Sequence, residues 1–266
     1  MFRTVAFVPL SRNLAAHRRG NLTECYVGER FVMVKCIFFD LGDTLIQYYT
    51  REQWKLMYPM IFDDMYHYLQ SELQKSREYY WLRMQEENYE NKDSTVRTLE
   101  SRLKNIYEFT DQDIDRTKIC DVFIKRIIGL SRIYNDTVPI LETLAEKYKM
   151  AIISNMPWGA PKRYFIGELE KYSIQKYFKE QIFCTDIGYR KPHSKIFEYA
   201  LLKMNMKPEE SIMIGDRYEW DILGAQRCNI RGILIDRKNK NEKAGNCIRI
   251  VNLSELPLVL SEMAPT

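Results

Sequence analysis

Long apolar runs are missing from this sequence, and none approaches the roughly 18 consecutive residues that a membrane-spanning helix requires. Cysteine is scarce as well: the six cysteines are scattered without CxxC spacing, which argues against a zinc site and a disulfide framework. Charge of one sign is not concentrated either, because the formal net charge is only +4 and basic residues are interleaved with acids nearly everywhere. We therefore expect a soluble, cytoplasmic protein with neither a membrane nor a nucleic acid as its partner.

The first 32 residues differ from the rest of the chain. Met1 to Asn21 carries four arginines and no acid, with only weak apolar patches. This pattern is faintly like that of an organellar transit peptide, although such peptides are richer in serine. We therefore interpret residues 1–32 as a disordered extension, or as the result of a misassigned start codon with Met33 as the true first residue.

The organised part of the chain begins with residues 34–45, which read VKCIFFDLGDTL. Cys36–Phe39 is an apolar run with the length of a buried strand, and Asp40 follows at the carboxyl end of that strand. Open α/β sheets bind their ligands at this edge. The residues after Asp40 continue as a turn whose backbone amides can point inward. An acid in this setting suits a nucleophile or a ligand of a divalent metal.

Between residues 48 and 134 the sequence has helical spacing and no convincing strand alternation. The predicted helices cover residues 52–75, 77–90, 96–107 and 113–130. Ser94 and Asp111 stand in the polar breaks between them and are the expected N-caps. The segment is dense in aromatic residues, most of which we expect in the core of a small bundle. Residues 48–134 are therefore predicted to form an all-helical insert.

From residue 139 onward, short strands alternate with helices. The predicted strands after Cys36–Phe39 cover residues 150–153, 181–184, 211–214, 232–235 and 248–251. The predicted helices cover 140–147, 162–177 with a break near Ser173, 194–204 and 220–228. This order implies a mostly parallel sheet with right-handed crossovers. The predicted fold class is α/β, with a Rossmann-like core made of residues 33–47 and 135–266.

Polar side chains follow several of these strands, at the edge that parallel strands share. They are an acid at Asp40, a hydroxyl and an amide at Ser154 and Asn155, a cation at Lys191, and a second acid at Asp216. This inventory fits phosphoryl transfer, in which Asp40 would attack phosphorus. Ser154, Asn155 and the amides near Leu41 and Gly42 would hold the phosphate oxygens. Lys191 would offset the phosphate charge, and Asp40 with Asp216 would bind Mg²⁺.

The order of these motifs is similar to that of the haloacid dehalogenase (HAD) superfamily. The matching stretches are Asp40-Leu41-Gly42-Asp43-Thr44, Ser154-Asn155, Arg190-Lys191-Pro192, and the acidic stretch from Gly215 to Asp221. The resemblance implies that Asp40 and Lys191 are catalytic, and that Asp40, Asp216 and the Gly42 carbonyl bind Mg²⁺. Asp221 would join that site through water, or would only stabilise the start of its helix. The resemblance also implies that the helical insert is a cap that closes over the site.

One position departs from the family pattern. The family's second aspartate, which protonates the leaving group and then activates water, is replaced by Gly42, and Asp43 stands one place later. We expect Asp43 to cap a turn, because a shift of one residue in an extended segment turns a side chain to the opposite side. A dehalogenase of this family would be expected to have a bulky aromatic residue at position 42. Since a general acid–base contributes about 10²–10⁴-fold in rate, turnover should be weakened.

Three functions stay open at this point. The first is a Mg²⁺-dependent phosphomonoester hydrolase that acts on a small phosphorylated metabolite through an aspartyl-phosphate intermediate. The second is a phosphate- or partner-binding protein on the same scaffold, weakened or inactive because of Gly42. The third is transfer to another acceptor, as in a mutase. In each case we expect a monomer or a homodimer.

Overall fold

The computed structural model describes residues 33–109, 115–238, 245 and 247–264. The predictions for residues 1–32 and for an N-cap at Asp111 lie outside these residues. The strands are β1 (Cys36–Phe39), β2 (Ile46–Gln47), β3 (Arg132–Ile133), β4 (Lys149–Ser154), β5 (Glu180–Phe183), β6 (Ser211–Gly215), β7 (Arg231–Ile235) and β8 (Ile248–Ile250). The helices are α1 (Arg51–Leu69), α2 (Arg77–Glu86), α3 (Leu99–Tyr107), α4 (Arg116–Gly129), α5 (Thr137–Ala145), α6 (Arg163–Lys171), α7 (Cys184–Ile187), α8 (Ser194–Met204), α9 (Leu223–Gln226) and α10 (Leu256–Glu262).

Within the described residues, six strands form one parallel sheet in the order β5-β4-β1-β6-β7-β8. β1 lies between β4 and β6, and Phe39 is opposite both Ile152 and Ile214. The residues of β1, β6 and β7 are buried along the whole strand, as is typical of a parallel sheet covered by helices. The predicted α/β class with a Rossmann-like sheet is confirmed.

The strand order changes direction at β1. The chain goes from β1 to β4 and β5 on one side, and then returns to β6, β7 and β8 on the other. Such a reversal opens a crevice at the carboxyl ends of the strands, and ligands of open α/β sheets bind there. Asp40 follows β1 directly and therefore stands at this crevice.

A short antiparallel pair, β2 with β3, was missed by the sequence analysis. Ile46 pairs with Ile133 and Gln47 pairs with Arg132. Two residues are too few to show the alternation by which a strand is recognised in a sequence. The pair brings together the two chain segments that leave and re-enter the sheet domain, and between them the described helices are α1 to α4.

The helices α1 to α4 form the helical insert, in which α1 packs along α4. A chain of aromatic rings connects this insert with the sheet domain. Neighbouring ring centroids of Trp54, Tyr58, Trp158 and Phe123 are 5.2, 5.8 and 5.0 Å apart. Trp158 belongs to the loop after β4, whereas the other rings belong to α1 and α4. Aromatic packing therefore forms part of the seam between the two regions. The predicted domain boundaries at residues 47/48 and 134/135 stay predictions.

Tertiary contacts shorten two of the predicted helices. α2 ends at Glu86 and not at residue 90, because the Glu87 and Tyr89 carbonyls accept hydrogen bonds from Arg102. α3 begins at Leu99 and not at residue 96, and its N-cap is Thr98, whose Oγ1 accepts from Ser101 N at 3.2 Å.

The predicted N-cap at Ser94 was wrong. Its backbone is left-handed at φ 63°, and its neighbour Val96 donates its amide to the Gly188 carbonyl at 2.9 Å. The segment from Ser94 to Val96 is therefore held in an extended pairing with the sheet domain and cannot start a helix.

Two helices of the sheet domain also differ from their predicted bounds. The helix predicted for residues 162–177 is broken as expected, since α6 ends at Lys171 and Ser173 has φ 55°. The helix predicted for residues 220–228 is reduced to α9, because Tyr218–Ile222 forms a π-helical turn, in which the Leu223 amide donates to the carbonyl of Tyr218 five residues earlier. That turn carries the acidic side chain of Asp221 toward the site.

Helix hydrophobicity and the state of the cysteines can be checked in the described residues. None of their helices is both long and apolar enough to cross a lipid bilayer. Their cysteines are free thiols at positions 36, 120, 184, 228 and 247. Burial raises the pKa of Cys36 to about 12, so this thiol stays protonated and behaves as a small apolar side chain.

Gly159 provides a test of the seam between the helical insert and the sheet domain. It has φ +64°, and a Cβ there would overlap the Arg97 carbonyl of the insert. We expect Gly159→Ala to lower the free energy of unfolding by more than about 2 kcal/mol, from left-handed strain and the overlap. Gly167→Ala is the control, because it lies in α6 with open space around it and should gain about 0.5 kcal/mol. Urea unfolding measures both, and equal stability of the two variants would contradict the packing described.

Candidate active site

The polar residues predicted at the strand ends converge on one cavity of about 710 Å³. Asp40 is tied to the neighbouring strand, because its amide donates to the Ile214 carbonyl at 2.9 Å. The cavity is lined by the following predicted residues: Asp40, Leu41, Gly42, Ser154, Asn155, Lys191, Asp216 and Asp221. The insert side is formed by Thr50, Arg51 and Trp54 at the start of α1. The sheet and the insert thus enclose the site together.

Lys191 lies at the centre of the site and is only 2% exposed. Its ammonium is 2.6 Å from Asp40 Oδ1, 2.6 Å from Asp221 Oδ1 and 2.8 Å from the Ile153 carbonyl. Burial by itself would lower the pKa of Lys191, but Asp221 and Asp40 together outweigh burial and raise that pKa. The side chain is therefore a fixed cation at neutral pH.

Asp40 is 7% exposed and is surrounded by donors. Ser154 Oγ donates to Asp40 Oδ1 at 3.4 Å, on the same oxygen that faces Lys191. Thr44 Oγ1 donates to Asp40 Oδ2 at 3.3 Å. Thr44 belongs to the first motif, and its hydrogen bond to Asp40 was not predicted. These contacts hold the carboxylate in one orientation, as a nucleophile requires.

Three carboxylates crowd together beside Lys191. Oxygens of Asp40, Asp216 and Asp221 lie within 4.8 Å of one another. Burial raises the pKa of Asp216 well above its usual range, and the charges of Asp40 and Asp221 raise it further. Burial also raises the pKa of Asp221 to about 6, although Lys191 opposes that rise. A divalent cation would relieve this repulsion, and carboxylate oxygens are the ligands that Mg²⁺ prefers, so the residues fit such an ion.

The two oxygens of Asp221 already have partners. Oδ1 faces Lys191, and Oδ2 accepts from the Arg217 amide at 2.9 Å. The carboxyl group packs so closely on Gly215 that a Cβ at that position would overlap it. Glycine is therefore needed before Asp216. Whether Asp221 would contact a metal ion through water or only stabilise its own turn stays a prediction.

Asn155 holds the loop that carries Lys191. Its Nδ2 donates to the Lys191 carbonyl at 3.0 Å, and the Lys191 amide donates to Asn155 Oδ1 at 2.8 Å. Both ends of the side-chain amide are thus occupied by one backbone unit. The expected contact between Asn155 and phosphate stays a prediction. The structure gives Asn155 a different task, which is to join the loops after β4 and before α8.

The extended backbone predicted at Asp43 was wrong, and with it the reason for turning this side chain away from the site. Asp43 has φ 56° and lies in a turn, so the alternation of a strand does not apply. Its side chain lines the same cavity and accepts from the Tyr134 hydroxyl at 3.4 Å. Burial raises the pKa of Asp43. That Asp43 does not replace the family's second acid stays a prediction.

Sequence reasoning missed Arg237, which closes the far side of the cavity. Its guanidinium bonds both oxygens of Asp136 at 2.9 and 3.0 Å and also donates to the Thr44 carbonyl at 2.8 Å. Tyr134 lies beneath it, with 3.8 Å between the guanidinium carbon and the ring centroid. Its place just after the end of β7 was the available signal, because the other site residues also follow strands.

Comparison with known proteins identifies the family. Residues 34–229 match the haloacid dehalogenase-like hydrolases. Since this match covers most of the chain, the chain belongs to the haloacid dehalogenase-like hydrolase family. The resemblance inferred from the order of the motifs is thereby confirmed.

Three of the individual proteins that this chain resembles share less than a third of their residues with it over the matched parts. The chain is 29% identical over 133 residues to the glyceraldehyde 3-phosphate phosphatase of Methanothermobacter thermautotrophicus. This alignment covers 47% of this chain and 57% of that protein. The chain thus spans little more than half the length of this relative. A HAD phosphatase from Thermococcus onnurineus has a TM-score of 0.61 at 22% identity, covering 88% of this chain and 100% of that one. A 2-haloacid dehalogenase from Pseudomonas syringae has a TM-score of 0.65 at 23% identity, covering 87% and 100%. These two structures share the fold.

Asp216→Asn tests the crowding of carboxylates. Because folding raises the pKa of Asp216, its ionisation costs stability as the pH rises above roughly 4, the usual range of a carboxyl group. Without metal, the variant should be more stable than the unchanged protein by about 1 kcal/mol or more at pH 7, and the gap should close near pH 4. Millimolar Mg²⁺ should raise the melting temperature of the unchanged protein more than that of the variant. A variant that is less stable at pH 7 and gains equally from Mg²⁺ would contradict this account.

Proposed function

We propose that this protein is a Mg²⁺-dependent phosphomonoester hydrolase that forms an aspartyl phosphate on Asp40. The observation that supports this most directly is that Asp40 Oδ1 lies 2.6 Å from the Lys191 ammonium, while the Asp40 carboxylate lies within 4.8 Å of the carboxylate oxygens of Asp216 and Asp221. A carboxylate beside a fixed cation and a cation site is suited to attack a phosphate dianion.

The residues around Asp40 have separate tasks in this proposal. Lys191 and the Ser154 hydroxyl attract the phosphate oxygens, together with the backbone amides of Leu41 and Gly42. Asp40, Asp216 and the Gly42 carbonyl would hold Mg²⁺, with Asp221 joined through water. The ion, when bound, supplies positive charge to the phosphate oxygens and brings the dianion next to the carboxylate.

The reaction has two displacements at phosphorus. First, an Asp40 oxygen forms a bond to phosphorus while the ester bond breaks, and the leaving group departs with the electron pair of that bond. Water then attacks the same phosphorus and the bond to Asp40 breaks. Orthophosphate leaves with the oxygen of the water, one proton of that water is released to solvent, where the departed oxyanion can take it up, and the Asp40 carboxylate is regenerated.

Gly42 decides which substrates react well. It offers no proton to the departing oxygen and no base to the attacking water, and each of these roles contributes about 10²–10⁴-fold in other enzymes. Leaving groups that are stable as anions, such as phenolates, need no proton in the first displacement. Aryl phosphates should therefore phosphorylate Asp40 faster than alkyl phosphates do, and the second displacement should limit turnover.

The names of the relatives support a small substrate. The Methanothermobacter protein is a glyceraldehyde 3-phosphate phosphatase, and a relative from Thermus thermophilus is a phosphoserine phosphatase. The cavity of about 710 Å³ has room for such a molecule. We therefore extend the proposal to a small phosphorylated metabolite as substrate.

Asp40→Asn should abolish Mg²⁺-dependent phosphate release, because the amide is a poor nucleophile of nearly the same shape. The assay uses an aryl phosphate and a panel of phosphorylated metabolites, with and without Mg²⁺. Circular dichroism and urea unfolding serve as controls that the variant is folded. Phosphate release by the variant at the rate of the unchanged protein would exclude Asp40 as the nucleophile.

Gly42→Asp should raise kcat by about 10²-fold on alkyl phosphates, by restoring a general acid–base. The substitution has room, since a Cβ on Gly42 would lie 3.7 Å from the nearest atom of Tyr48, an ordinary contact. Gly42→Asn is the matched control, because it adds the same volume without an ionisable group. Equal rates for the aspartate and asparagine variants would show that the missing acid does not limit this protein.

The alternative function is binding without turnover, and Gly42 is the observation that favours it. A phosphate- or partner-binding protein on this scaffold would bind Mg²⁺ and orthophosphate, measured by calorimetry, and release no phosphate from any member of the panel. Activity that appears only in Gly42→Asp would identify a site that has lost turnover but kept its binding groups.

A further inference from the structure

The helical insert contacts the loop that carries Lys191 through its backbone. The Val96 amide donates to the Gly188 carbonyl at 2.9 Å, and the Arg190 amide donates to the Ser94 carbonyl at 2.9 Å. Thr95 and Tyr189 form an antiparallel bridge between these two bonds. The insert thus adds a short strand to the loop, one residue before the lysine.

Glu90 adds a charged contact at the same place. Its Oε2 is 2.5 Å from Arg190 Nη1 of the sheet domain and 2.7 Å from Arg102 Nη2 of the insert. Glu90 is therefore a bridge between the two regions, and its partner Arg190 lines the cavity beside Lys191. The Arg190 side chain is 12% exposed and the Glu90 side chain 36%, so the arginine end of this ion pair is buried while the carboxylate end is open to water.

Arg102 determines where Glu90 lies. It is 1% exposed and donates from Nη1 to the carbonyls of Glu87 and Tyr89 at 2.7 and 2.6 Å. With the guanidinium fixed by two backbone carbonyls, the carboxylate that it binds through Nη2 has little freedom. Contacts within the insert therefore hold Glu90 in place, independently of its contact with Arg190.

The loop after β4 meets the same part of the insert. The Arg102 guanidinium carbon lies 5.3 Å from the ring centroid of Trp158. Gly159 approaches the Arg97 carbonyl so closely that no side chain fits there. Since Asn155 of this loop bonds the Lys191 backbone, both loops that shape the lysine's surroundings rest on residues 87–102 of the insert.

We propose that Glu90 is a positioning residue that acts through Arg190 to hold the Lys191 loop against Asp40. The proposal rests on the proposed function, because it assigns Lys191 a role in the reaction. Lys191 lies 2.6 Å from both Asp40 and Asp221, and an error of about 1 Å in such a constellation can reduce the rate by two orders of magnitude. The insert therefore does more than cover the cavity, since the sheet domain alone lacks one of the supports of its lysine.

The test is a double-substitution cycle of Glu90→Gln and Arg190→Gln, followed by kcat and KM on the best substrate. Glu90→Gln should lower kcat about tenfold and leave KM within about twofold, because the Lys191 loop would be held less firmly against Asp40 while the lining of the cavity stays the same. In the Arg190→Gln background the same change should have almost no effect, because its target is gone. Asp121→Asn is the matched control, because Asp121 is also an acid of the insert and pairs with an arginine of the sheet domain, Arg163, at 3.5 Å. It should leave kcat unchanged.

Amide hydrogen exchange gives a second readout that does not depend on turnover. Peptides that cover residues 186–195 should exchange faster in Glu90→Gln and at the normal rate in Asp121→Asn. Faster exchange in a protein without phosphatase activity would support the positioning role while the proposed function fails. Normal exchange in Glu90→Gln, or a kcat loss that persists in the Arg190→Gln background, would overturn the positioning role even if the protein is a phosphatase.

Discussion

The site depends on one buried cation. Lys191 is within 2.6 Å of two carboxylates, and the third carboxylate of the cluster lies close by. Without the ammonium, Asp40 and Asp221 would be buried beside each other with no opposite charge, and removing one partner of such a group destabilises a protein by about 3–5 kcal/mol. The lysine is therefore a structural requirement of the acid cluster, and in the proposed reaction it would also attract the phosphate to Asp40. The same arrangement explains why much of the surrounding structure serves to hold one loop.

Three parts of the molecule supply the supports of this loop. The parallel sheet places Asp40, Ser154 and Asp216 at one edge, because parallel strands in register share their carboxyl ends. Asn155 then joins the Lys191 backbone to the end of β4. The helical insert adds the pairing of residues 94–96 with 188–190, so its seating and the geometry of the lysine are linked. In the proposed reaction, Gly42 would leave the site without the family's acid–base, and for substrates with good leaving groups this would slow the attack of water more than the first displacement.

The sequence predicted the sheet and the strand ends well, because buried parallel strands are short apolar runs, and Asp40, Asn155 and Asp216 follow them directly. Lys191 is farther from its strand, since a short helix separates it from β5. It failed where distant parts of the chain decide the local structure. Ser94 has the composition of an N-cap, yet the pairing of Val96 with Gly188 prevents a helix there. The ion pair of Glu90 and Arg190 joins residues a hundred positions apart, and no local sequence pattern predicts it. Asp43 was misread because a turn replaced the extended backbone that its neighbours in β1 suggested.

The most direct measurement is chemical trapping of the phosphorylated Asp40. The protein is mixed with Mg²⁺ and an aryl phosphate, quenched in the pre-steady state with borohydride, which reduces an acyl phosphate to an alcohol, and digested for mass spectrometry. If Asp40 is the nucleophile, we expect a burst of phenol release and a reduced side chain at position 40, because Gly42 would slow the attack of water more than the departure of a phenolate. Steady release of phenol and phosphate together, with position 40 unmodified and no burst, would mean that water attacks the substrate directly and that no phosphorylated Asp40 forms.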